Sequence, residues 1–385
     1  MKLKLTILFF ILGIVPCFSQ YDSIWHNSLY RTYLVHLPPS YTPGNQVPLV
    51  IAMHGGFGWG AQLENQSQLS AKSDNAGFIV VYPEGKKSPL GIRTWNAGGC
   101  CGYAMNTNID DVGFLSNLID SLVATYSVDT ARIYATGMSN GAFMSYRLAC
   151  ERSNKIAAIA PVAGSMNVSA CSPVRAVPVI HFHSYQDNNV PYQGGIGSGT
   201  SGHYNPPLDS VMNVWAGFNG CTTNFDTIHN NSDYTHINWS GCDCGNELNL
   251  YLTHDGGHSW PGGSTTTTGD PVSTVISAND LMWSFFQQHT LICSTTSAEP
   301  FSIKKEQVQV YPNPFSEQAT FSIPYSSGDK YQLKIYDIFG KEYYPEITKN
   351  NNGFAMKRGN LFSGIYIFEI ENAEKMIQRG KFVIQ

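Results

Sequence analysis

Three side chains far apart in the chain, Ser139, Asp187 and His258, have the types that nucleophilic acyl transfer requires. A serine hydroxyl is a poor nucleophile at its free pKa, so it needs a base within hydrogen-bond reach and an acid that orients the base. Ser139 lies in Gly137-Met138-Ser139-Asn140-Gly141. This Gly-x-Ser-x-Gly pattern acquires chemical meaning between a strand and a helix, where a sharp turn exposes the serine and neighbours without Cβ atoms let the backbone and a substrate approach. Its flanks supply that context, with a strand-type run over 132–136 and a helical pattern over 142–148.

For the base, His258 is preferred because it stands in a Gly-rich loop just after the strand-like run 248–253. His54 and His183 also stand at strand exits, and His254 precedes His258 in the same loop. For the acid, Asp187 follows the apolar run 178–183 in a similar way. Asp255 is too near His258 in sequence, and Asp209, Asp226 and Asp233 lack a strand-end setting. Oxyanion donors are expected from the backbone N–H of Asn140 and from the Gly56-Phe57 turn, which ends the buried run 48–53. The loops carrying Trp95, Tyr185 and Trp260 are expected to contact substrate.

The elements that must position these groups follow from periodicity. Residues 30–37 alternate as a strand; 48–53, 78–83, 156–164, 178–183 and 248–253 are short apolar runs of the kind covered on both faces. Helical spacing marks 110–122, 211–218 and 278–287, with Asp110 and Asp111 read as helix-start residues, not catalytic ones. Buried strands alternating with helices predict an α/β domain with a doubly wound, mainly parallel sheet. The order Ser139, Asp187, His258 is the one expected for the α/β-hydrolase fold.

With 385 residues and a net charge of only −5, the chain has room for more than one domain and lacks the basic runs that neutralise phosphates, so no nucleic-acid partner is expected. Charge is denser beyond residue 300, which suggests a boundary there. The expected organisation is a signal peptide over 1–20, a catalytic domain over 21–293, a linker over 294–306 and a small β-sandwich over 307–385. The basic start and apolar segment at the N-terminus are too short for a comfortable span, and no other stretch could cross a bilayer. Cys17, beside Pro16, gives a poor lipidation site. The remaining eight cysteines are even in number, as an exported disulfide-bonded chain would have. Cys100 and Cys101 are neighbours and are each expected to bond elsewhere; Cys221 is expected to pair with Cys242 or Cys244. The Cys242-Asp243-Cys244 spacing is too tight for a zinc site, and neither metal nor cofactor is implied.

His54-Gly55-Gly56, Trp95-Asn96, Asp110 to Phe114, Tyr134 to Gly141 and Gly256 to Gly263 resemble the secreted esterase family that groups polyhydroxybutyrate depolymerases with feruloyl and acetylxylan esterases. The likeness covers roughly residues 25–290, and it implies that Ser139, Asp187 and His258 are nucleophile, acid and base. It departs where Ser184 and Tyr185 stand in place of the family's common glycine, on the approach to Asp187. Tyr311 to Phe315, Ile335 to Gly340 and the segment from Ser363 onward resemble the C-terminal sorting domain read by the type IX secretion system of Bacteroidetes. That likeness implies passage across the outer membrane, with the tail normally removed and the enzyme extracellular or attached to the cell surface. The tail's alternative is a carbohydrate-binding sandwich. The expected function is hydrolysis of esters on a polymer, either plant-wall feruloyl and acetyl groups or polyhydroxybutyrate. A serine peptidase on the same fold and a non-catalytic surface adhesin are the alternatives.

Overall fold

The computed structural model describes residues 19–292, apart from 169, 200–201, 223–224 and 265–268, and residues 308–385, apart from 323–331, 338–339, 351–352 and 372–375. The expected signal peptide and linker, with Cys17 and Cys293, fall almost wholly outside the described residues.

Ten strands form the main sheet: β1 (Gln20–His26), β2 (Leu29–His36), β3 (Val47–Met53), β4 (Ile79–Pro83), β5 (Val128–Met138), β6 (Ala158–Val162), β7 (Val179–Ser184), β8 (Asp226–Asn230), β9 (Tyr234–Trp239) and β10 (Leu248–Thr253). Their spatial order is β1-β2-β4-β3-β5-β6-β7-β10-β9-β8. The six central strands, β4 to β10 in that order, run parallel. Antiparallel pairs close both edges. Parallel strands must be covered on both sides, and β3 alternates accordingly. Leu49, Ile51 and Met53 join a core with Leu118 of α4 (Asp111–Thr125), Phe143 of α5 (Asn140–Arg152) and Trp215 of α6 (Leu208–Phe218). Val50 and Ala52 join the opposite core with Leu63, Leu69 and Phe286. The helices on that side are α1 (Gly60–Ser67), α2 (Leu69–Ala76) and α7 (Ala278–Phe286); α3 (Gly102–Asn106) is a short turn before α4. On the α7 side, Tyr134 and Phe286 stack with centroids 4.3 Å apart.

Asp110 caps α4 by accepting from Gly113 N–H at 2.9 Å, as its position suggested. Asp111 does something else. It is fully buried, 2.6 Å from the Arg31 guanidinium, and also accepts from Asn96 N–H at 2.7 Å. Burial pushes its carboxyl up, against the opposing pull of Arg31.

The cysteines correct one expectation. Cys100 and Cys101 bond to each other, with Cα atoms 3.1 Å apart, contrary to the expectation that each bonds elsewhere; the ordinary disulfide spacing used to exclude them describes cysteines that are not chain neighbours. Cys150 pairs with Cys171, and Cys221 pairs with Cys242.

The C-terminal region forms two four-stranded antiparallel sheets. Phe321 and Phe354 of one sheet share a core with Ile335, Phe368 and Phe382 of the other, the arrangement of a small sandwich.

Candidate active site

In parallel sheets, sites form at the carboxyl ends of strands, and β3, β5, β7 and β10 present those ends along one edge. Ser139 follows β5 at once, with φ 54° and ψ −122°, and α5 begins at the next residue. A serine at positive φ is strained by roughly 1–3 kcal/mol and persists only where its surroundings fix it. Those surroundings are visible. Ser139 N–H donates to Val162 C=O at 2.9 Å, and Ser139 C=O accepts from Ala142 and Phe143 N–H at 2.8 and 3.1 Å. A Cβ at Gly137 would meet Met53 C=O and Gly141 C=O at 2.6 Å, and one at Gly141 would collide with Met53 C=O. The two glycines of the pattern are therefore what lets the turn lie against the end of β3.

His258 is buried, and its Nδ1 lies 2.8 Å from Asp187 Oδ2. Asp187, just beyond β7, accepts on Oδ1 from Asn189 and Val190 N–H, both at 2.9 Å. Burial alone would push the Asp187 carboxyl up. The His258 charge and hydrogen bond, the nearby His183 and the Val190 N–H outweigh it and hold the group below the ordinary carboxylate range. An ionised Asp187 fixes the proton of a neutral His258 on Nδ1, which leaves Nε2 as an acceptor. The His258 loop is tied back towards the elbow through α1. Ser264 N–H donates to Gln66 C=O at 2.8 Å, and Gln66 Nε2 lies 3.0 Å from the sulfur of Met138, the residue before Ser139.

The other candidate bases are engaged or lack a carboxylate partner. His54 Nδ1 lies 2.6 Å from Gly55 C=O while Nε2 accepts from Gly85 N–H at 2.9 Å. Burial pulls its pKa down to about 4. His183 has both ring nitrogens in contacts. His254 stacks on Tyr185 at 4.7 Å, and its buried Nε2 has no hydrogen-bond partner among the described residues, so it lacks the carboxylate that His258 has. Asp255 is engaged by Ser273 Oγ at 2.6 Å and Thr274 N–H at 2.8 Å.

The backbone N–H groups expected to receive an oxyanion differ in their engagement. Phe57 N–H already donates to Arg93 C=O at 3.0 Å. Among the described residues, the N–H groups of Gly56 and Asn140 make no such bond; Asn140 opens α5, where helix geometry leaves the N–H without a partner. Gly55 brings this loop against Ser139, since a Cβ there would lie 3.3 Å from Ser139 Cβ and 4.0 Å from Oγ.

Of the three aromatics expected to touch substrate, two are fully buried. Trp95 donates its indole N–H to His54 C=O at 2.9 Å, and Trp260 donates to Asn279 Oδ1 at 3.0 Å. They are supports: the Asn140 side chain clamps Trp95 through its N–H and C=O at 2.7 and 3.1 Å. Tyr185 is 40% exposed. Ser184, where the resemblance expects glycine, accepts from Gln186 N–H at 3.0 Å and donates to Asp255 C=O at 3.1 Å, linking the Asp187 and His258 loops. Two exposed aromatics stand on the loop beside Ser139: Phe57, at 55%, was expected only to supply a backbone N–H, and Trp59, at 45%, was not expected at the site. Their place directly after the Gly55-Gly56 turn was the available signal.

Cys100, Cys101 and His203 have possible ligand atoms within 4.8 Å of one another. Sulfur held in a disulfide offers no thiolate to a metal. No described helix is long and apolar enough to cross a membrane.

Residues 31–193 match the family model described as Esterase PHB depolymerase, and residues 309–385 match the Secretion system C-terminal sorting domain. Ser139 and Asp187 fall inside the first match and His258 beyond it. Feruloyl esterase B of Piromyces equi is 33% identical over 238 residues, which cover 60% of this chain and 42% of that protein. The bifunctional acetylxylan esterase/xylanase XynS20E of Neocallimastix patriciarum is 27% identical over 257 residues, covering 63% and 34%. The chain thus spans less than half the length of either relative. Among solved structures, an acetyl xylan esterase from Aspergillus awamori has a TM-score of 0.49 at 16% identity, covering 70% of this chain and 99% of that one.

Proposed function

We propose, for a chain that carries an esterase domain of the PHB depolymerase type and a C-terminal secretion sorting domain, that it is an exported serine carboxylic-ester hydrolase. The observation that carries the reading is the 2.8 Å bond between His258 Nδ1 and Asp187 Oδ2, on the same sheet edge as a serine at φ 54°. In the reaction, His258 Nε2 takes the Ser139 proton as Oγ attacks the ester carbonyl. The Gly56 and Asn140 N–H groups receive the developing oxyanion. His258 then protonates the leaving alcohol, and a water activated by the same ring releases the acyl group.

The substrates are esters carried on a polymer, with plant-wall feruloyl and acetyl groups ahead of polyhydroxybutyrate. The relatives' names favour the first two. Exposed Phe57, Trp59 and Tyr185 offer flat apolar faces for an aromatic acyl group or a sugar ring. Export would use the N-terminal signal and then the type IX machinery acting on the tail. A release assay comparing methyl ferulate, acetylated xylan and polyhydroxybutyrate film tests the substrate class. Preferential release of ferulate or acetate is expected, and hydrolysis of the film alone would refute the plant-wall assignment.

A further inference from the structure

Behind the catalytic acid lies a row of polar side chains that the mechanism above does not use. Tyr146 of α5 and His181 and His183 of β7 are essentially buried, the most exposed, His183, at 2%. Tyr146 Oη lies 2.8 Å from His181 Nδ1, His181 Nε2 lies 3.3 Å from His183 Nδ1, and His183 Nε2 lies 2.7 Å from Val190 C=O. The same His183 Nε2 is 3.4 Å from Asp187 Oδ2. Trp215 packs edge-on against Tyr146 and Met212 Sδ lies 3.7 Å from its hydroxyl, so the row ends inside the core.

The direction of every hydrogen bond in this row follows from its last member. His183 Nε2 faces only acceptors, a carbonyl and a carboxylate, so it carries the proton. Burial lowers the pKa of both histidines, and a neutral His183 then presents a lone pair at Nδ1. His181 must donate to it from Nε2, and the lone pair left on His181 Nδ1 must accept from the Tyr146 hydroxyl. All three donors consequently point the same way along the row, the last onto Val190 C=O with Asp187 Oδ2 3.4 Å from the same nitrogen, and aligned donors in a dry interior reinforce one another and favour an anion beside the end of the row. The geometry is closed by Val190. Its C=O accepts from His183 while its N–H donates to Asp187 Oδ1 at 2.9 Å, so one residue fixes both the backbone and the carboxylate plane.

We propose that His183 is a positioning residue for the reaction: its Nε2–H holds the Val190 turn and the Asp187 carboxylate in the orientation His258 requires, while His181, backed by Tyr146, occupies its Nδ1 and keeps the ring in place. This rests on the triad reading given above. Asp187 would then owe its pose to the row behind it as well as to its own loop.

The test is the pH dependence of kcat/KM on p-nitrophenyl acetate for the full chain and for His183→Leu, His183→Gln, Tyr146→Phe and Asp187→Asn. His183→Leu is expected to lower kcat roughly tenfold or more, since a misaligned acid weakens general-base catalysis, with KM within about twofold. It should also move the acid limb of the profile to lower pH, because a loosened carboxylate pairs less well with the imidazolium. His183→Gln can donate from the same region of space and should restore most of kcat and the limb. Tyr146→Phe should shift the limb in the same direction as His183→Leu, by less. A merely structural role would change stability and yield without moving the limb. Should His183→Leu not fold, His183→Asn, whose shorter amide does not reach Val190 C=O, is held to the same two criteria. An unshifted limb with kcat within twofold in a folded variant overturns the proposal. If Asp187→Asn is also unaffected, the triad reading fails instead; if Asp187→Asn collapses while His183→Leu does not, only the role of His183 is lost.

Discussion

Replacing Asp187 with asparagine separates the acid's charge from its shape, and the hydrogen bonds decide how the new amide must sit. Two backbone donors, Asn189 and Val190 N–H, converge on Oδ1 at 2.9 Å, so the amide oxygen has to stay there. The NH2 group is then forced to the other side, where it faces His258 Nδ1 at the former 2.8 Å contact and His183 Nε2 at the former 3.4 Å contact. Only an unprotonated Nδ1 can accept from it, which moves the imidazole proton to Nε2, the atom that takes the Ser139 proton in the proposed reaction. A base in the wrong tautomer lowers kcat by about 10⁴ in the serine-protease case on which the general rule rests, and about 10³ to 10⁴ is expected here, or roughly 4–5.5 kcal/mol of transition-state stabilisation. Steady-state kinetics on p-nitrophenyl acetate, with thermal unfolding as a control for folding, measures this. A folded variant with kcat within tenfold of the parent would mean that Asp187 does not orient the base.

Further predictions follow from other contacts. Asp111→Asn leaves the Arg31 guanidinium, 2% exposed and stacked 3.9 Å from the Phe114 ring, without its carboxylate; a loss of roughly 3–5 kcal/mol in urea unfolding is expected, and a change under 1 kcal/mol would contradict the account of that pair. His54 has a folded pKa of about 4 against an unfolded value of about 6.5, so the unfolded state binds more protons between these limits and stability must fall as pH drops from 6.5 towards 4. The contribution of this residue is up to roughly 3 kcal/mol, and His289, also lowered to about 4, acts with the same sign. Urea midpoints that stay level between pH 7 and pH 4.5 would refute the prediction. Phe57→Ala, on an exposed ring next to the Gly55-Gly56 turn, should raise KM for methyl ferulate roughly fivefold while changing kcat on p-nitrophenyl acetate little. Loss of kcat on both would instead assign the ring to loop geometry.

The parts of the molecule legible in the sequence are those where local chemistry and burial agree. The run to Met138, the two glycines and the helical pattern after Ser139 mark the elbow because each has a local cause, in a parallel strand covered on both faces and a turn with no room for Cβ atoms. Asp187 and His258 were found by their strand-end settings, and the structure joins them. What stayed hidden depends on partners distant in sequence. The Phe57 N–H is claimed by Arg93 and the Asp111 carboxylate by Arg31, 80 residues upstream. Trp95 and Trp260 read as cleft aromatics because tryptophans in Gly-rich loops usually have exposed edges, yet each indole finds a buried acceptor. Strands β8 and β9 escaped because β8 is a largely exposed edge strand, so its sequence lacks the apolar signature of the centre. The Tyr146–His181–His183 row was visible only as two histidines in an apolar run, which periodicity alone reads as buried strand.

The central claim, that Ser139 is a nucleophile activated through His258, is tested most directly by a fluorophosphonate probe followed by intact mass and peptide mapping. One stoichiometric adduct is expected on the peptide containing Ser139, with loss of ester hydrolysis in proportion to labelling and neither adduct nor hydrolysis in Ser139→Ala. Full hydrolysis by Ser139→Ala, or active protein whose label lands on another residue, would contradict it.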